Sequence, residues 1–336
     1  MFGRGRVEKS SGRSGFTVSL LTASATFGLF LLAALIAVWA IYYAPGPSAR
    51  QGDKTVVTLA SGSGVSAIAA RMKAAGVIRS TDLFRAAATL TGADRRLRAG
   101  EYEVPSGTSL AGVLNLLVEG RVVRHFVTLP EGWSSLQAVD ILNKEPVLTG
   151  VVAETPEEGS LWPDTYEVSR GDTRQSVIDR MQRAANEDLR LLWSQRSPAT
   201  VARTPEEAVI LASIVEKETA LAAERPRVAA VFSNRLRAGM RLESDLTIVY
   251  GVTKGRPLGR GIRRSELLAP TPWNTYQING LPPTPIAMPG KASMMAAVQP
   301  AATKALYFVA RGDGSSHFSA SLDEHNRAVN RYQRGR

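Results

Sequence analysis

A continuous apolar run near the N-terminus constrains this chain more than any other feature. Residues 14–49 carry no charged side chain, and residues 16–43, FTVSLLTASATFGLFLLAALIAVWAIYY, are almost wholly apolar. A helix needs roughly 20 such residues to cross the hydrocarbon core of a bilayer. The alternative interpretation, a cleaved signal peptide, has an apolar region that is usually only about half as long. We therefore predict a transmembrane helix over residues 16–43.

The residues before the run are mostly basic. Four cations stand against one acid there: Arg4, Arg6, Lys9 and Arg13 against Glu8. Because short positively charged flanks stay on the cytoplasmic side, residues 1–15 are predicted to be cytoplasmic. Everything from about residue 45 is then predicted to lie across the membrane, which in a bacterium is the periplasmic or outer face.

The far end of the run has the features of a membrane exit. Three aromatic side chains lie there, Trp39, Tyr42 and Tyr43, and such rings favour the membrane–water interface. The sequence Pro-Gly-Pro at 45–47 then breaks the helix. Residues 44–54 are predicted to form a short linker.

Whole-chain composition excludes several kinds of site. The formal net charge is +11, there is no cysteine, and the three histidines show no H-E-x-x-H spacing. Thiolate chemistry is therefore excluded, and we expect no metal and no cofactor. The histidines are interpreted as surface or capping residues. The basic residues are dispersed among acids and no phosphate-binding loop occurs, so nucleic acid is not an expected partner.

Four segments repeat one pattern: a short strand, a glycine, a serine or threonine, and then apolar residues at helical spacing. They begin at Val56, Tyr102, His125 and Tyr166. The pattern predicts a strand, a turn and a helix started by the hydroxyl residue. The predicted turn glycines are Gly62, Gly107, Gly132 and Gly171, and the predicted cap or first-turn residues are Ser66, Ser109, Ser134 and Thr173. The fold class predicted from this pattern is α/β (α+β).

The first of these segments is followed by GVIRSTDLFRAAATL, which predicts a second helix. A strand followed by two helices resembles a LysM module, a type that binds N-acetylglucosamine polymers in cell walls. We predict a LysM-like α/β module over residues 55–125 and a catalytic domain over residues 126–336.

The most unusual helix begins at Thr204-Pro205-Glu206-Glu207, a cap, a proline and acids in the first turn. Its apolar residues cover most of its circumference, so a buried helix from Pro205 to about Ala222 is predicted. It nevertheless contains Glu216-Lys217-Glu218. Residues two apart on a helix point about 200° from each other, so the two carboxylates cannot share a face. A carboxyl group against an apolar wall has a raised pKa and can serve as a general acid.

Five segments closely resemble the MltG (YceG-like) family of endolytic murein transglycosylases. They are EGSLWPDTYEV (158–168), LASIVEKETALAAERPRVAAVFSNRLRAGMRLESDLTIVYG (211–251), NTYQINGLPPTPIAMPG (274–290), ALYFVARGDGSSHFS (305–319) and EHNRAV (324–329). The resemblance extends over roughly residues 55–332. It implies an inner-membrane lyase that cleaves MurNAc–GlcNAc bonds within nascent glycan strands and leaves 1,6-anhydro-MurNAc ends. Peptidoglycan synthases are the expected protein partners.

The resemblance assigns the catalytic acid/base to Glu218, with Glu216 as its competitor. One carboxyl group is enough for this reaction, because the sugar's own 6-hydroxyl replaces the water that ordinary glycosidases activate. Candidate substrate-binding or stabilising residues are Glu158, Trp162, Tyr166, Asn234, Asp245, Tyr250, Asn274 and Tyr276. Structural hydrogen bonds or core packing are the alternative roles for these residues.

Two other functions stay open at this point. The first is a membrane-tethered, non-catalytic glycan-binding scaffold of the wall-synthesis machinery, which would tolerate Glu218→Gln. The second is a hydrolytic muramidase, which would leave reducing ends. The G-x-S-x-G motif of serine hydrolases is missing from the chain.

Overall fold

The computed structural model describes residues 13–335 and, within the first helix, side chains from residue 26 onward. Residues 1–12, most of the predicted cytoplasmic N-terminus, lie outside the described residues. The chain divides into two compact units, one ending at Val123 and the other beginning at Arg124. Both units mix helices with short strands, which confirms the mixed α and β class expected from the repeated pattern.

The N-terminal unit surrounds one two-stranded sheet. Its elements are α1 (Arg13–Tyr43), β1 (Lys54–Leu59), α2 (Val65–Ala74), α3 (Thr81–Leu90), β2 (Gly100–Pro105) and α4 (Leu110–Glu119). Strands β1 and β2 pair antiparallel, with Val57 opposite Tyr102. Phe84, Tyr102 and Leu114 are among the buried side chains of its core.

Helix α1 contains the predicted membrane span. Within the described side chains, residues Thr26–Tyr43 form an uncharged helical stretch with a mean hydropathy of 2.0. The stretch is long and apolar enough to cross a bilayer.

The predicted linker is hydrogen-bonded to the rest of the N-terminal unit. The N–H of Gly46 donates to the carbonyl of Gly107 at 3.0 Å, and the N–H of Gly107 donates to the carbonyl of Pro47 at 3.0 Å. The N–H of Ala49 donates to Ser106 Oγ at 3.0 Å. These bonds tie the exit of α1 to the turn after β2.

The C-terminal unit is mostly helical. Its elements are β3 (His125–Thr128), α5 (Ser135–Lys144), β4 (Thr165–Val168), α6 (Arg174–Ser194), α7 (Pro205–Glu218), α8 (Arg225–Arg237), α9 (Asp245–Thr253), α10 (Arg264–Leu268), α11 (Lys291–Val298), β5 (Tyr307–Ala310), β6 (Ser316–Ser319) and α12 (Leu322–Tyr332), with a 3-10 turn at Ala222–Glu224. Strands β3 and β4 pair antiparallel, and so do β5 and β6.

The predicted strand–turn–helix units are confirmed as β1–α2, β2–α4, β3–α5 and β4–α6. The four turn glycines all have positive φ, between 74° and 95°. This conformation is easily adopted only without a β-carbon. Ser109, Ser134 and Thr173 cap their helices with side-chain oxygens, whereas Ser66 lies in the first turn of α2.

Helix α7 is the central element of the C-terminal unit and packs against α6, α8, α9 and α11. The Thr204 hydroxyl accepts the N–H of Glu207 at 3.2 Å, so the predicted helix start is confirmed. The predicted end at about Ala222 is wrong. The helix ends at Glu218, because Thr219 has extended backbone angles of φ −142° and ψ 131°.

Candidate active site

The last turn of α7 carries two carboxyl groups with different surroundings. Glu216 and Glu218 are two positions apart, so a helix directs them to different sides. Loops from the sequence-distant segments 131–133 and 284–290 lie beside the first, and the start of α9 lies beside the second. The surroundings therefore decide what each carboxyl group can do.

Glu216 is held in a buried ion pair. Arg225 Nη2 donates to Glu216 Oε1 at 2.9 Å, and the side chains are 10% and 6% exposed, respectively. The N–H of Gly290 donates to Glu216 Oε2 at 3.0 Å. A β-carbon at residue 290 would lie 1.9 Å from the carboxyl carbon of Glu131, so any larger residue there would require the Glu131 side chain to move. Both oxygens of Glu216 are thus occupied by protein donors.

Glu218 has the environment of a proton-transfer group. Ser244 Oγ donates to Glu218 Oε1 at 2.5 Å. Burial raises the pKa of Glu218, the Ser244 hydrogen bond lowers it, and the negative charge of Asp245 raises it further, with a net increase. The carboxyl also lies at the C-terminal end of α7, where the helix dipole disfavours an anion. A protonated Glu218 therefore persists above the usual pH range of a carboxylic acid.

Asp245 and Tyr276 lie beside Glu218. Tyr276 Oη donates to Asp245 Oδ1 at 2.9 Å. Burial, this hydrogen bond and the charges of three nearby acids raise the pKa of Tyr276. The phenol is therefore neutral at neutral pH and remains a hydrogen-bond donor.

Glu218 opens into a cleft of about 670 Å³. Apolar walls come from α8 and β5, including Phe232 and Phe308. Its polar side chains are Arg235, Glu243, Asp245, Tyr276, His325, Asn326 and Gln333, beside the Tyr307 ring and Glu218 itself. The cleft thus combines a desolvated carboxyl group with aromatic faces and hydrogen-bonding groups, a combination that suits a sugar ring.

The backbone beneath the cleft is held by a dense set of hydrogen bonds. Arg235 Nε donates to the carbonyl of Arg241 at 2.7 Å, and the Arg235 guanidinium also pairs with Glu243. The N–H of Ser244 donates to Thr275 Oγ1 at 3.0 Å, and Glu243 has an unusual φ of 53°. A rigid loop therefore fixes the hydroxyl that contacts Glu218.

Several cleft residues were missed by reading the sequence. Ser244 directly precedes the predicted Asp245, and His325 lies in the EHNRAV segment, so each had a signal in the matched motifs. The sequence predicts a surface or capping role for His325. His325 instead stacks on Tyr307 with ring centroids 5.1 Å apart, and its Nδ1 is buried without a partner among the described residues. Burial and the charge of Arg235 lower the pKa of His325, which favours the neutral ring.

Glu158, Trp162 and Tyr250 line a second cavity, of about 720 Å³, together with Trp273 and Lys254. The N–H of Ser135 donates to Glu158 Oε1 at 2.9 Å. Burial raises the pKa of Glu158 to about 7. The cavity borders the first half of α7, at Val209 and Ile210, whereas Glu218 ends that helix. The predicted site residues are thus divided between two cavities.

Three predicted substrate-binding residues make hydrogen bonds within the protein. Asn274 is fully buried, and its Nδ2 donates to the carbonyls of Glu266, Leu267 and Ala269 at 2.8–3.2 Å. Asn234 Nδ2 donates to the carbonyls of Thr303 and Ala305. Tyr166 Oη donates to the carbonyl of Trp162 at 2.8 Å. These contacts hold loops in place.

The fold and cleft define a two-unit protein with an N-terminal apolar helix and, in its C-terminal unit, one desolvated carboxyl group at a helix end. The chain belongs to the YceG-like family, whose family model matches residues 57–331. This match confirms the family resemblance of the motifs in the sequence.

Curated relatives carry a common name. An endolytic murein transglycosylase of Bacillus subtilis (strain 168) is 30% identical over 319 residues, which cover 85% of this chain and 87% of the relative. An endolytic murein transglycosylase of Streptococcus pneumoniae is 27% identical over 93% of this chain, which spans 63% of that longer protein.

One solved structure supports the fold. The crystal structure of a YceG-like protein from Listeria monocytogenes matches with a TM-score of 0.53 and 26% sequence identity. The match covers 82% of this chain and 98% of the other.

Proposed function

We propose that the chain is an endolytic peptidoglycan lytic transglycosylase. It cleaves MurNAc–GlcNAc bonds within nascent glycan strands and leaves 1,6-anhydro-MurNAc ends, which terminates elongation. The name shared by the curated relatives supports the reaction class. The observation that carries the proposal is Glu218, a desolvated carboxyl group facing an open cleft of sugar-binding character.

The first step requires an acid. The protonated Glu218 donates its proton to the glycosidic oxygen, and the bond from that oxygen to the anomeric carbon of MurNAc breaks. The raised pKa supports this role, because it keeps the proton on Glu218 until the leaving oxygen needs it. Positive charge then develops on the sugar ring.

The second step requires a base. The Glu218 carboxylate takes the proton of the sugar's 6-hydroxyl, whose oxygen forms a bond to the anomeric carbon. The 1,6-anhydro ring closes, and Glu218 is protonated again for the next turnover. The Ser244 hydroxyl supports this step by stabilising the carboxylate formed in between.

Neighbouring groups orient and stabilise the reacting sugar. The Asp245 carboxylate is close enough to Glu218 to raise its pKa, and so it can also stabilise positive charge on the ring. Tyr276 holds that carboxylate through its hydroxyl. Tyr307 and His325, which stack on each other, offer an aromatic face to the substrate.

The second cavity extends the proposed binding surface. Glu158, Trp162 and Tyr250 are proposed to bind a more distant part of the glycan, since aromatic and hydrogen-bonding groups are combined there. Asn234, Asn274 and Tyr166 contribute by holding the loops. In the N-terminal unit, the paired strands β1 and β2 with helices α2 and α3 between them support the LysM-like interpretation.

The proposed location follows from the apolar helix. Helix α1 anchors the chain in the inner membrane, the basic N-terminus stays in the cytoplasm, and the rest of the N-terminal unit lies in the periplasm with the C-terminal unit. This places the cleft where new glycan strands are made. Peptidoglycan synthases are the proposed protein partners there.

The test is digestion of purified glycan strands by the detergent-solubilised full chain, with product ends identified by mass spectrometry. Glu218→Gln is expected to reduce cleavage by about 10²–10⁴-fold, the usual contribution of general acid–base catalysis. Glu154→Gln is the control, because Glu154 is an exposed acid of the same unit that lines neither cavity, and it should cleave normally. Circular dichroism confirms that each variant is folded.

Each other outcome favours a different function. Reducing ends would indicate a muramidase, in which Asp245 supplies the second carboxylate of an ordinary glycosidase. Loss of cleavage in a folded Glu216→Gln variant, with Glu218→Gln active, would reverse the assignment. If the folded wild-type chain does not cleave the strands, the result contradicts the enzymatic function and favours the scaffold function.

A further inference from the structure

Helix α3 has two apolar faces, and the core of its own unit covers only one of them. Phe84 and Ala88 point into that core and are fully buried. Leu83, Ala86, Ala87 and Leu90 follow the i, i+3, i+4, i+7 spacing of a second stripe on another side of the helix. Within this outer stripe Leu83 is 46% exposed and Leu90 is 82% exposed. An exposed stripe of this kind marks an interaction surface.

The outer stripe faces the last turns of the predicted membrane helix. A groove of about 700 Å³ separates α3 from the end of α1. It is lined by Leu35, Ile36, Trp39 and Tyr43 on α1 and by Leu83 and Leu90 on α3, among others. The lining is almost wholly apolar, so water is a poor occupant.

The groove is at the depth of the membrane surface. Trp39, Tyr42 and Tyr43 mark the interface at the end of α1, and the groove begins at Leu35, N-terminal to them. Since α3 lies alongside these same turns, its outer stripe reaches the level of the lipid acyl chains.

The N-terminal unit is held at this depth by several contacts. Tyr42 packs against the core that contains Phe84. The reciprocal hydrogen bonds at Gly46, Pro47 and Gly107 fix the chain just after the helix. Arg79 Nη2 also donates to the carbonyl of Pro45 at 3.4 Å. The connection is therefore too short and too well bonded to act as a loose tether.

Charge around α3 favours an anionic surface. Four exposed arginines on or beside this helix, Arg79, Arg85, Arg95 and Arg96, outnumber its two neighbouring acids, Asp82, which pairs with Arg85, and Asp94. Basic side chains next to an apolar stripe are typical of helices that lie in a membrane interface, where cations meet lipid phosphates.

We propose that the outer stripe of α3 rests in the outer leaflet of the membrane that α1 crosses, with lipid acyl chains filling the groove. This inference rests on the membrane anchor of the proposed function. The N-terminal unit is then a membrane-seated base with a fixed distance and orientation to the lipid surface. A unit on a free tether would instead sample many heights above the bilayer.

The test uses the absence of native cysteine, which allows one label at a time. Leu90→Cys in the full chain is labelled with an environment-sensitive fluorophore and reconstituted into vesicles of phosphatidylethanolamine and phosphatidylglycerol. Thr89→Cys is the matched control, one residue away on the exposed polar face. Phe30→Cys, inside the predicted span, reports the anchor itself.

Quenchers attached to lipid acyl chains distinguish the outcomes. A loss of fluorescence at residue 90 comparable to that at residue 30, with little loss at residue 89, is expected. Quenching at residue 30 with none at residue 90 would overturn the docking and leave the anchor intact. No quenching at residue 30 would overturn the anchor, and the docking with it.

A second copy of the chain is the remaining occupant to test. Self-association is tested by energy transfer between labels at residue 90. If this transfer disappears on dilution with unlabelled lipid-reconstituted chain, and lipid quenching is poor, the stripe binds a second copy. Replacing both Leu83 and Leu90 by Asn then gives an independent check. Lipid quenching of a label at Ala86→Cys should fall in that variant if the stripe inserts.

Discussion

The two carboxyl groups in the last turn of α7 are two residues apart, yet they lie in different surroundings. Glu216 forms a charge cluster with Arg225 and Glu131, whereas Glu218 opens into the cleft. Glu216 meets an arginine and a backbone N–H, so its charge is balanced and both oxygens are used. Glu218 meets one hydroxyl, apolar walls and a nearby acid, so its charge is disfavoured. The difference shows that a carboxylate becomes structural or chemical according to what distant segments bring to it.

The largest expected effect on stability belongs to the charge cluster. Glu216→Gln leaves the buried Arg225 guanidinium, among the described residues, with the weaker acidic contact to Glu131 at 3.5 Å. Loss of one partner of a buried pair should lower the free energy of unfolding by about 3 kcal/mol. Denaturant unfolding followed by tryptophan fluorescence measures this, since four tryptophans lie in the C-terminal unit: Trp133, Trp162, Trp193 and Trp273.

Asp140→Asn is the control for this measurement. It breaks an exposed pair with Arg256 in the same unit, at 3.2 Å. Exposed pairs contribute at most about 1 kcal/mol, so the change should be small. If Glu216→Gln and Asp140→Asn change the free energy of unfolding equally, Glu216 contributes no more to stability than an exposed ion pair does.

Asn274 tests whether a predicted binding residue acts through structure. Asn274→Ala removes three hydrogen bonds that a fully buried side chain makes to the carbonyls of Glu266, Leu267 and Ala269, which should lower the free energy of unfolding by about 2 kcal/mol. Cleavage of glycan by the folded fraction should fall far less than in Glu218→Gln. A folded, stable variant that has lost all cleavage would instead show that Asn274 contacts the substrate.

Glu158 extends the comparison to the second cavity through pH. Its pKa of about 7 in the folded protein is above the ordinary 4.5, so the fold favours the protonated form. The contribution of Glu158 to the stability of the wild-type chain is therefore lost as pH rises from about 4.5 to about 7, and Glu158→Gln lacks this pH-dependent contribution. Across this window the free energy of unfolding of the variant should rise by about 3 kcal/mol relative to that of the wild type.

Thermal unfolding at about pH 4, 6 and 8 checks this prediction, because these values lie below, within and above the range in which Glu158 titrates. Glu157→Gln is the neighbouring control, because Glu157 is exposed. A gap between Glu158→Gln and the wild type that is the same at all three values would contradict the assigned environment. Glycan cleavage at neutral pH should survive in Glu158→Gln if the second cavity only binds.

The smallest expected effect comes from the hydroxyl beside Glu218. Ser244→Ala removes a donor that stabilises the carboxylate, so the pKa of Glu218 should rise further. The alkaline fall in glycan cleavage follows loss of the acid's proton, and it should therefore move to higher pH. A pH–rate profile measures the shift. In Ser244→Thr, the alkaline fall in cleavage is expected at the wild-type pH. If the alkaline fall in cleavage occurs at the same pH in Ser244→Ala as in the wild type, this hydroxyl does not influence the proton transfer.

Local patterns in the sequence predicted most of the elements. The glycine and hydroxyl pairs anticipated the starts of α4, α5 and α6, because turn geometry and helix capping depend on adjacent residues. The end of α7 was predicted four residues too late, since nothing in ETALAA forbids a helix. Packing of the following segment around Glu224, whose carboxylate accepts the N–H of Ser316 at 2.8 Å, accompanies the earlier end.

The candidate site was predicted less completely than the elements. Of the candidate residues, Glu218, Asp245 and Tyr276 line one cleft, whereas Glu158, Trp162 and Tyr250 line another cavity. Spacing along a helix predicts that the side chains of Glu216 and Glu218 point in different directions. It does not predict which of them pairs with an arginine. That choice depends on Arg225 and Gly290, and Gly290 is 74 residues away from Glu216.

The sequence by itself determined the apolar helix, the family, the strand–turn–helix units and the pair of candidate acids. These depend on composition, on short spacing or on long matched motifs, all of which are local properties of the chain. Only the tertiary structure decided that Glu218 is desolvated beside Ser244, that Glu216 is paired, and that α3 keeps an exposed apolar stripe. Desolvation and pairing depend on which distant residues surround a group, and that is settled when the chain packs.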